Sequence, residues 1–172
     1  PQTEPYTALG YAHVGGGGES TTSGVLAIPG ANAIVDWVVV ELRDGMTPSI
    51  VKATRSALLQ RDGDIVGVDG VSPVQFSLAV NDYHIAVRHR NHLGSMTADP
   101  VRVSVALREY DLSDGSEPIY GTAPTQDVNG IQALWMGNAL RDGTLKYTGT
   151  GNDRDPILVR VGGATPNQVV PG

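Results

Sequence analysis

The sequence predicts an all-β chain: a Greek-key, immunoglobulin-like β-sandwich followed by a C-terminal module of loop and short helix. Three observations carry that reading. The composition is rich in chain-turning residues, 22 Gly and 11 Pro, and only 17% charged, which disfavours long solvated helices. Apolar and polar residues alternate with a period of two along several short stretches, the pattern of strands with one buried face. Turn signals such as Asp44-Gly45, Asp62-Gly63, Asp69-Gly70 and Asn81-Asp82 recur at roughly 8 to 12 residues, the spacing of a sandwich.

Residues 1–22 read as an extended N-terminal arm. Pro1, Pro5, the glycine run 15–18 and a Ser/Thr cluster leave Tyr6, Leu9, Tyr11 and Val14 as apolar anchors. Such a segment is either a flexible linker or a strand that docks on a neighbouring molecule. Residues 25–28 form a short strand-compatible run stopped by Pro29-Gly30, and residues 33–42 are the strongest strand in the chain. There Val35, Trp37 and Val39 share one face and Ile34, Val38, Val40 and Leu42 the other, interrupted by Asp36. Both faces need cover, which a central strand inside a sandwich has.

Residues 50–60 and 65–68 follow as strands across Asp-Gly turns. Asp62, Asp64 and Asp69 belong to those turns more economically than to a cation site. Phe76, Leu78 and Val80, then Tyr83, Ile85 and Val87, joined at Asn81-Asp82, read as a hairpin. Val101, Val103, Val105 and Leu107 alternate with Arg102, Ser104 and Arg108 as a half-exposed strand that closes the sandwich, residues 23–110. Residues 111–128, rich in Pro, Gly, Ser and Asp, read as a connector, and residues 129–172 as the loop-helix module and tail.

At 172 residues the chain is sized for one core with an appendage. Its net charge is −6 and its 12 basic residues are scattered, which argues against nucleic acid, a partner that demands a concentrated cationic surface. No stretch approaches the roughly 18 apolar residues of a membrane span. Cysteine is absent, so disulfides, thiol nucleophiles and zinc-thiolate sites are excluded. The sequence opens at Pro1 without an initiator methionine or signal peptide, the mark of a processed product or fragment, and processing points to an extracellular or cell-surface location.

Candidate chemistry concentrates near the C-terminus. Asn138 and Asp142 stand four apart and run into Gly143, the way an oxygen-ligand calcium loop begins, and Asn152, Asp153 and Asp155 return further oxygen donors. The spacing departs from an EF-hand, because Leu140 holds a usual carboxylate position and no glutamate closes the loop. The same residues also read as an Asp142-Gly143 turn and as Asp155 capping a helix that starts at Pro156 and stops at Gly162-Gly163. Strand alternation puts His84 and His89 on opposite faces, so with His92 they read as polar strand-end residues packing on Arg88 and Arg90, not as a metal site. No Gly-x-Ser-x-Gly elbow occurs, the glycine run lacks a following Gly-Lys-Ser/Thr, and nothing sets Glu109 and Asp111 across a cleft. No enzyme is expected.

Several phrases carry a family resemblance: Glu4-Pro5-Tyr6-Thr7-Ala8-Leu9-Gly10-Tyr11, Ile34-Val35-Asp36-Trp37-Val38-Val39-Val40-Glu41-Leu42-Arg43-Asp44, Val87-Arg88-His89-Arg90-Asn91-His92-Leu93-Gly94, and Lys146-Tyr147-Thr148-Gly149 with Asn152-Asp153-Arg154-Asp155-Pro156. Over nearly its whole length the chain resembles a recurrent module of large secreted, haemagglutinin- or adhesin-like surface proteins of Bacteroidota. The resemblance implies a dockerin-like motif and calcium as cofactor, and it carries over to Asp142, Asn152, Asp153 and Asp155 as metal ligands, with Asn138 added from the loop spacing. The expected role is a structural or adhesive building block, a surface-layer or filament subunit that self-assembles through its N-terminal arm and is stabilised by calcium. The alternative is an accessory carbohydrate-binding module facing surface glycans, as β-sandwiches host many such sites. Two Trp, six Tyr and one Phe supply a sugar platform poorly.

Overall fold

A run of β-branched residues, Ile34, Val35, Val38, Val39 and Val40, makes residues 34–44 the natural centre of a sheet, because such side chains fit a pleated surface covered on both sides. The structure, a computed structural model, describes residues 1–163, so the tail expected at the end of the 129–172 module lies outside the described residues. The elements in chain order are α1 (Ser23–Leu26), β1 (Ile34–Asp44), β2 (Val51–Gln60), β3 (Ile65–Val66), β4 (Asn81–Arg88), β5 (Ser95–Met96), β6 (Val101–Val103), β7 (Gln126–Val128), β8 (Ile131–Ala133) and α2 (Arg154–Val161). The chain is all-β in class. β1 is the inner strand of a six-stranded antiparallel sheet of order β3-β2-β1-β4-β5, with β6 also on β4, and β7 and β8 form a separate two-stranded ribbon. Neither helix among the described residues is long and apolar enough to cross a membrane.

The Greek-key sandwich expected from turn spacing is not the arrangement of these strands. Both faces of β1 are covered, as its sequence demands, but irregular chain does the covering. One face holds Tyr6, Trp37, Val39, Leu58 and Val66, with Tyr11, Val25 and Ile34 packed against them. The other holds Val38, Val40, Ala57 and Val87 beneath Val74, Phe76 and Leu112. A bulge between Ile34 and Asp36 resets the alternation, which places Ile34 on the Trp37 face and not opposite it.

The N-terminal segment supplies the first cover, so residues 1–22 do not form the reaching arm expected from their composition. Tyr6 is fully buried, and its hydroxyl donates to the Trp37 carbonyl at 2.5 Å. Trp37 Nε1 donates in turn to the Pro1 carbonyl at 2.9 Å. Glu4, 3% exposed, folds the segment on itself by accepting N–H groups from Tyr6 (2.5 Å), Thr7 (3.1 Å) and Gly18 (2.8 Å). The Thr54 N–H donates to the Val14 carbonyl at 2.9 Å, which ties the segment to β2. The glycine run serves this approach: at Gly16, with φ +97°, a Cβ would lie 2.7 Å from the Thr54 carbonyl oxygen.

Three other expectations are corrected. Residues 76–80 form no hairpin with β4, because β4 already pairs with β1 on one side and with β5 and β6 on the other, and Asn81-Asp82 begin the strand instead of turning it. The 101–107 strand stops at Val103, which pairs with Asn81, the first residue of β4, so β4 offers it no further partner. The boundary between connector and C-terminal module falls inside the β7–β8 ribbon, whose turn residues Asn129 (φ 56°) and Gly130 (φ 88°) adopt the left-handed pair that a two-residue hairpin requires.

Candidate functional site

The C-terminal loop uses its oxygen donors as pins. Asn138, 3% exposed, closes a ring on residue 142: its Nδ2 donates to the Asp142 carbonyl at 2.8 Å and its Oδ1 accepts from the Asp142 N–H at 3.2 Å. Asp142 Oδ1 accepts from the N–H (2.8 Å) and hydroxyl (2.9 Å) of Thr144. Asp153, 4% exposed, divides its carboxylate between the N–H groups of Leu140 (3.1 Å) and Lys146 (2.9 Å). The Lys146 N–H, seconded by that of Leu140, holds the Asp153 carboxyl below the usual carboxylate range. Asn152 Oδ1 accepts from the Asp155 N–H at 2.9 Å, and its Nδ2 donates to Asp155 Oδ2 at 2.8 Å.

This donor set does not fit calcium. The ion needs 6–8 oxygens converging on one centre, whereas the oxygens of these residues point at separate N–H groups along the loop. Among the described residues no three His, Cys, Asp or Glu side chains converge as a metal requires. The helix also starts earlier than expected. Arg154 is its first residue and Asp153 its cap position, although the Asp153 side chain turns away to the loop. Pro156 then falls in the first turn, where a missing N–H costs no intrahelical bond.

A second cluster, which sequence reasoning did not assemble around Asp36, is brought together at the end of β4. His84 stays apart, its Nδ1 3.0 Å from the Thr97 carbonyl. His89 and His92 meet with their Nδ1 atoms 2.7 Å apart, and His89 Nε2 lies 3.0 Å from Asp36 Oδ2. Arg90 grips the same carboxylate with two nitrogens at 2.6 and 2.8 Å. A carboxylate only accepts, so His89 Nε2 carries a proton, and His89 Nδ1 accepts from the Asn91 N–H at 3.2 Å. Burial pushes Asp36 up, but the hydrogen bonds from Arg90 and His89 outweigh it and hold the carboxyl below its ordinary range. Burial and the neighbouring His89 push His92 down.

Asp36 was the legible signal, since a charge inside an apolar strand must find a cation. The cluster works as a junction. The loop it stiffens receives the C-terminal segment through Leu93 N–H to the Trp135 carbonyl (2.8 Å) and Gly137 N–H to the Asn91 carbonyl (2.9 Å). Beside it, Leu9, Arg90, Asn91, Ala139 and Arg141 line an open cleft of about 210 Å³.

Two places leave large apolar side chains in solvent. Beyond β6, Val105 is 100% and Leu107 77% exposed, although their alternation continues that of Val101 and Val103. On α2, Ile157, Leu158 and Val159 are all exposed. No protein-family model, curated protein or solved structure matches this chain.

Proposed function

We propose that the chain is a non-enzymatic structural or adhesive building block of an extracellular surface assembly, acting through contact with further copies of itself. The observation that carries this reading is the apolar surface past β6, where a strand-patterned segment ends with Val105 and Leu107 in solvent. Large apolar side chains held in solvent close together in sequence suit a protein contact. The N-terminal segment is left out of the contact, since its anchors Tyr6 and Tyr11 pack on their own sheet. Calcium is left out as well, for the reason given by the loop pins.

The carbohydrate-binding alternative draws on two exposed tyrosines, Tyr120 and Tyr147, but the guanidinium of Arg154 sits over the Tyr147 ring, 5.3 Å from its centroid, where a sugar would stack. Sedimentation velocity over a wide concentration range tests the assembly reading. A sedimentation coefficient that rises with concentration is expected, and a monomer throughout would reject it.

A further inference from the structure

We propose that residues 74–79, a lone extended segment that links β3 to β4 over the second apolar face, pair antiparallel with the same segment of a second copy about a two-fold axis at Ser77. The inference rests on the self-assembly reading and names its interface.

The segment is already held as a strand. From Val74 to Ala79 the chain makes neither turn nor bend, and burial alternates along it: Val74 and Phe76 are half-buried on the second apolar face, while Gln75 and Ser77 are exposed. The Arg55 guanidinium sits 5.8 Å from the centroid of the Phe76 ring. At one end Pro73 bridges to Val66, and the Gly67 N–H donates to the Ser72 carbonyl at 2.6 Å. At the other end the Tyr83 hydroxyl donates to the Ala79 carbonyl at 2.9 Å. Between these ties the backbone N–H and C=O groups of Gln75, Phe76, Ser77 and Leu78 have no hydrogen-bond partner among the described residues. Side chains that point alternately at the sheet and at solvent turn those groups sideways, where water or another strand meets them.

The ties choose the edge. Alternate residues of a strand turn their backbone groups to the same edge. The edge of Pro73, Gln75, Ser77 and Ala79 is blunted at both ends, since Pro73 has no N–H and the Ala79 carbonyl is taken. On the other edge the Pro73–Val66 bridge turns Val74 toward β3 and the chain bends at Val80, which leaves Phe76 and Leu78 open.

The side chains choose the register. A centre at Ser77 sets Phe76 of each copy opposite Leu78 of the other, where the two exchange their N–H and C=O groups, aromatic against aliphatic on the sheet side. On the solvent side it sets Ser77 opposite Ser77 and Gln75 opposite Ala79. A centre at Phe76 needs the Val74 N–H, which is turned to β3, and a centre at Leu78 needs the bent Val80 and sets Val74 opposite Asp82. A centre between residues opposes apolar to polar side chains. A second copy suits this edge because residues 71–80 carry no charge in a chain of net charge −6, so like molecules approach here without opposing like charges. Asn81 pairs with Val103, so the exposed stretch past β6 that carries the assembly reading starts where this segment ends.

The contact is small beside the roughly 800 Å² per partner of a stable interface, so it forms in proportion to concentration. Being isologous, it closes a dimer, and a filament needs a second, different contact.

The absence of cysteine makes the register testable in the full chain. Ser77→Cys places two thiols opposite each other, where the Cα separation of facing strands suits a disulfide. Under mild oxidation this variant is expected to form covalent dimer at least about tenfold faster than Gln75→Cys, which is equally exposed but faces Ala79 in the pair. Adding Leu78→Pro, which removes an N–H from the pairing edge, is expected to abolish the difference. Adding Gln75→Pro, which removes one from the opposite edge, is expected to leave it. Equal rates for the two cysteines overturn the proposal, as does a fast Ser77→Cys/Leu78→Pro or a slow Ser77→Cys/Gln75→Pro. Sedimentation equilibrium separates the two levels. Self-association that persists undiminished in Leu78→Pro refutes this edge and leaves the assembly reading standing, whereas an unaltered chain that stays monomeric refutes both.

Discussion

Tyr6 is held at both ends, its ring inside the first apolar face and its hydroxyl on the Trp37 carbonyl. Tyr6→Phe keeps the ring and loses the bond to a buried carbonyl, and is expected to cost about 1 kcal/mol in urea denaturation. Tyr6→Ala opens the face and is expected to cost about 3–5 kcal/mol. The titratable residues add a pH dependence. For Glu4, burial opposes ionisation, but the Thr7 hydroxyl and the N–H groups of Gly18, Thr7 and Tyr6 outweigh it, so its carboxyl joins those of Asp36 and Asp153 below the ordinary range. Unfolded carboxyls bind protons more readily than these, so the stability they contribute is present above about pH 4 and is lost as pH falls through the folded values. His92 is also lowered, by burial and then by His89. Its unfolded imidazole takes the proton first, so stability declines already as pH drops below about 6.5. Urea midpoints measured from pH 7 to pH 3 should fall in two stages, with the upper stage missing in His92→Gln; a flat profile between pH 7 and pH 5 would contradict the His89–His92 contact.

The C-terminal loop gives the clearest test among the elements. Asp153→Ala leaves the Leu140 and Lys146 N–H groups without their partner, at about 1–3 kcal/mol. Excess chelator is expected to leave the melting curve of the unaltered chain where it was, and a lowered Tm would restore the calcium reading. This loop also shows what a sequence conceals. The residue types at 138, 142, 152, 153 and 155 are legible, but an oxygen suited to a cation is equally suited to an N–H, and only the path of the loop decides which it meets. The core of β1 was legible because its unbroken apolar run from Trp37 to Val40 calls for cover on both faces. The Val35 bulge was not, since one extra residue leaves no mark on composition. The 76–87 hairpin was misassigned because alternation reports a buried face but not which neighbour lies beside it. The β7–β8 ribbon had a readable signal in Asn129-Gly130, which the polar composition around it obscures.

For the whole molecule, the N-terminal segment is part of the folded unit. Deleting residues 1–22 uncovers Trp37, Val39 and Leu58 and is expected to abolish cooperative thermal unfolding followed by circular dichroism. A truncated chain that melts as before would make the segment dispensable. The way β1 is completed has a further consequence, for the order in which the chain can fold. Its partnership with β2 is local, but its partnership with β4 joins residues 39–44 to residues 83–88. Closing that span loses chain entropy before the burial of Val40 against Val87 returns it, which makes it the slow step. A chain emerging N-terminus first presents Tyr6 early, yet until residue 88 has emerged Tyr6 has only the β1–β2 hairpin to settle on. For that interval the second face of β1 stays bare, and a nascent chain stalled there exposes Val38 and Val40 to its neighbours.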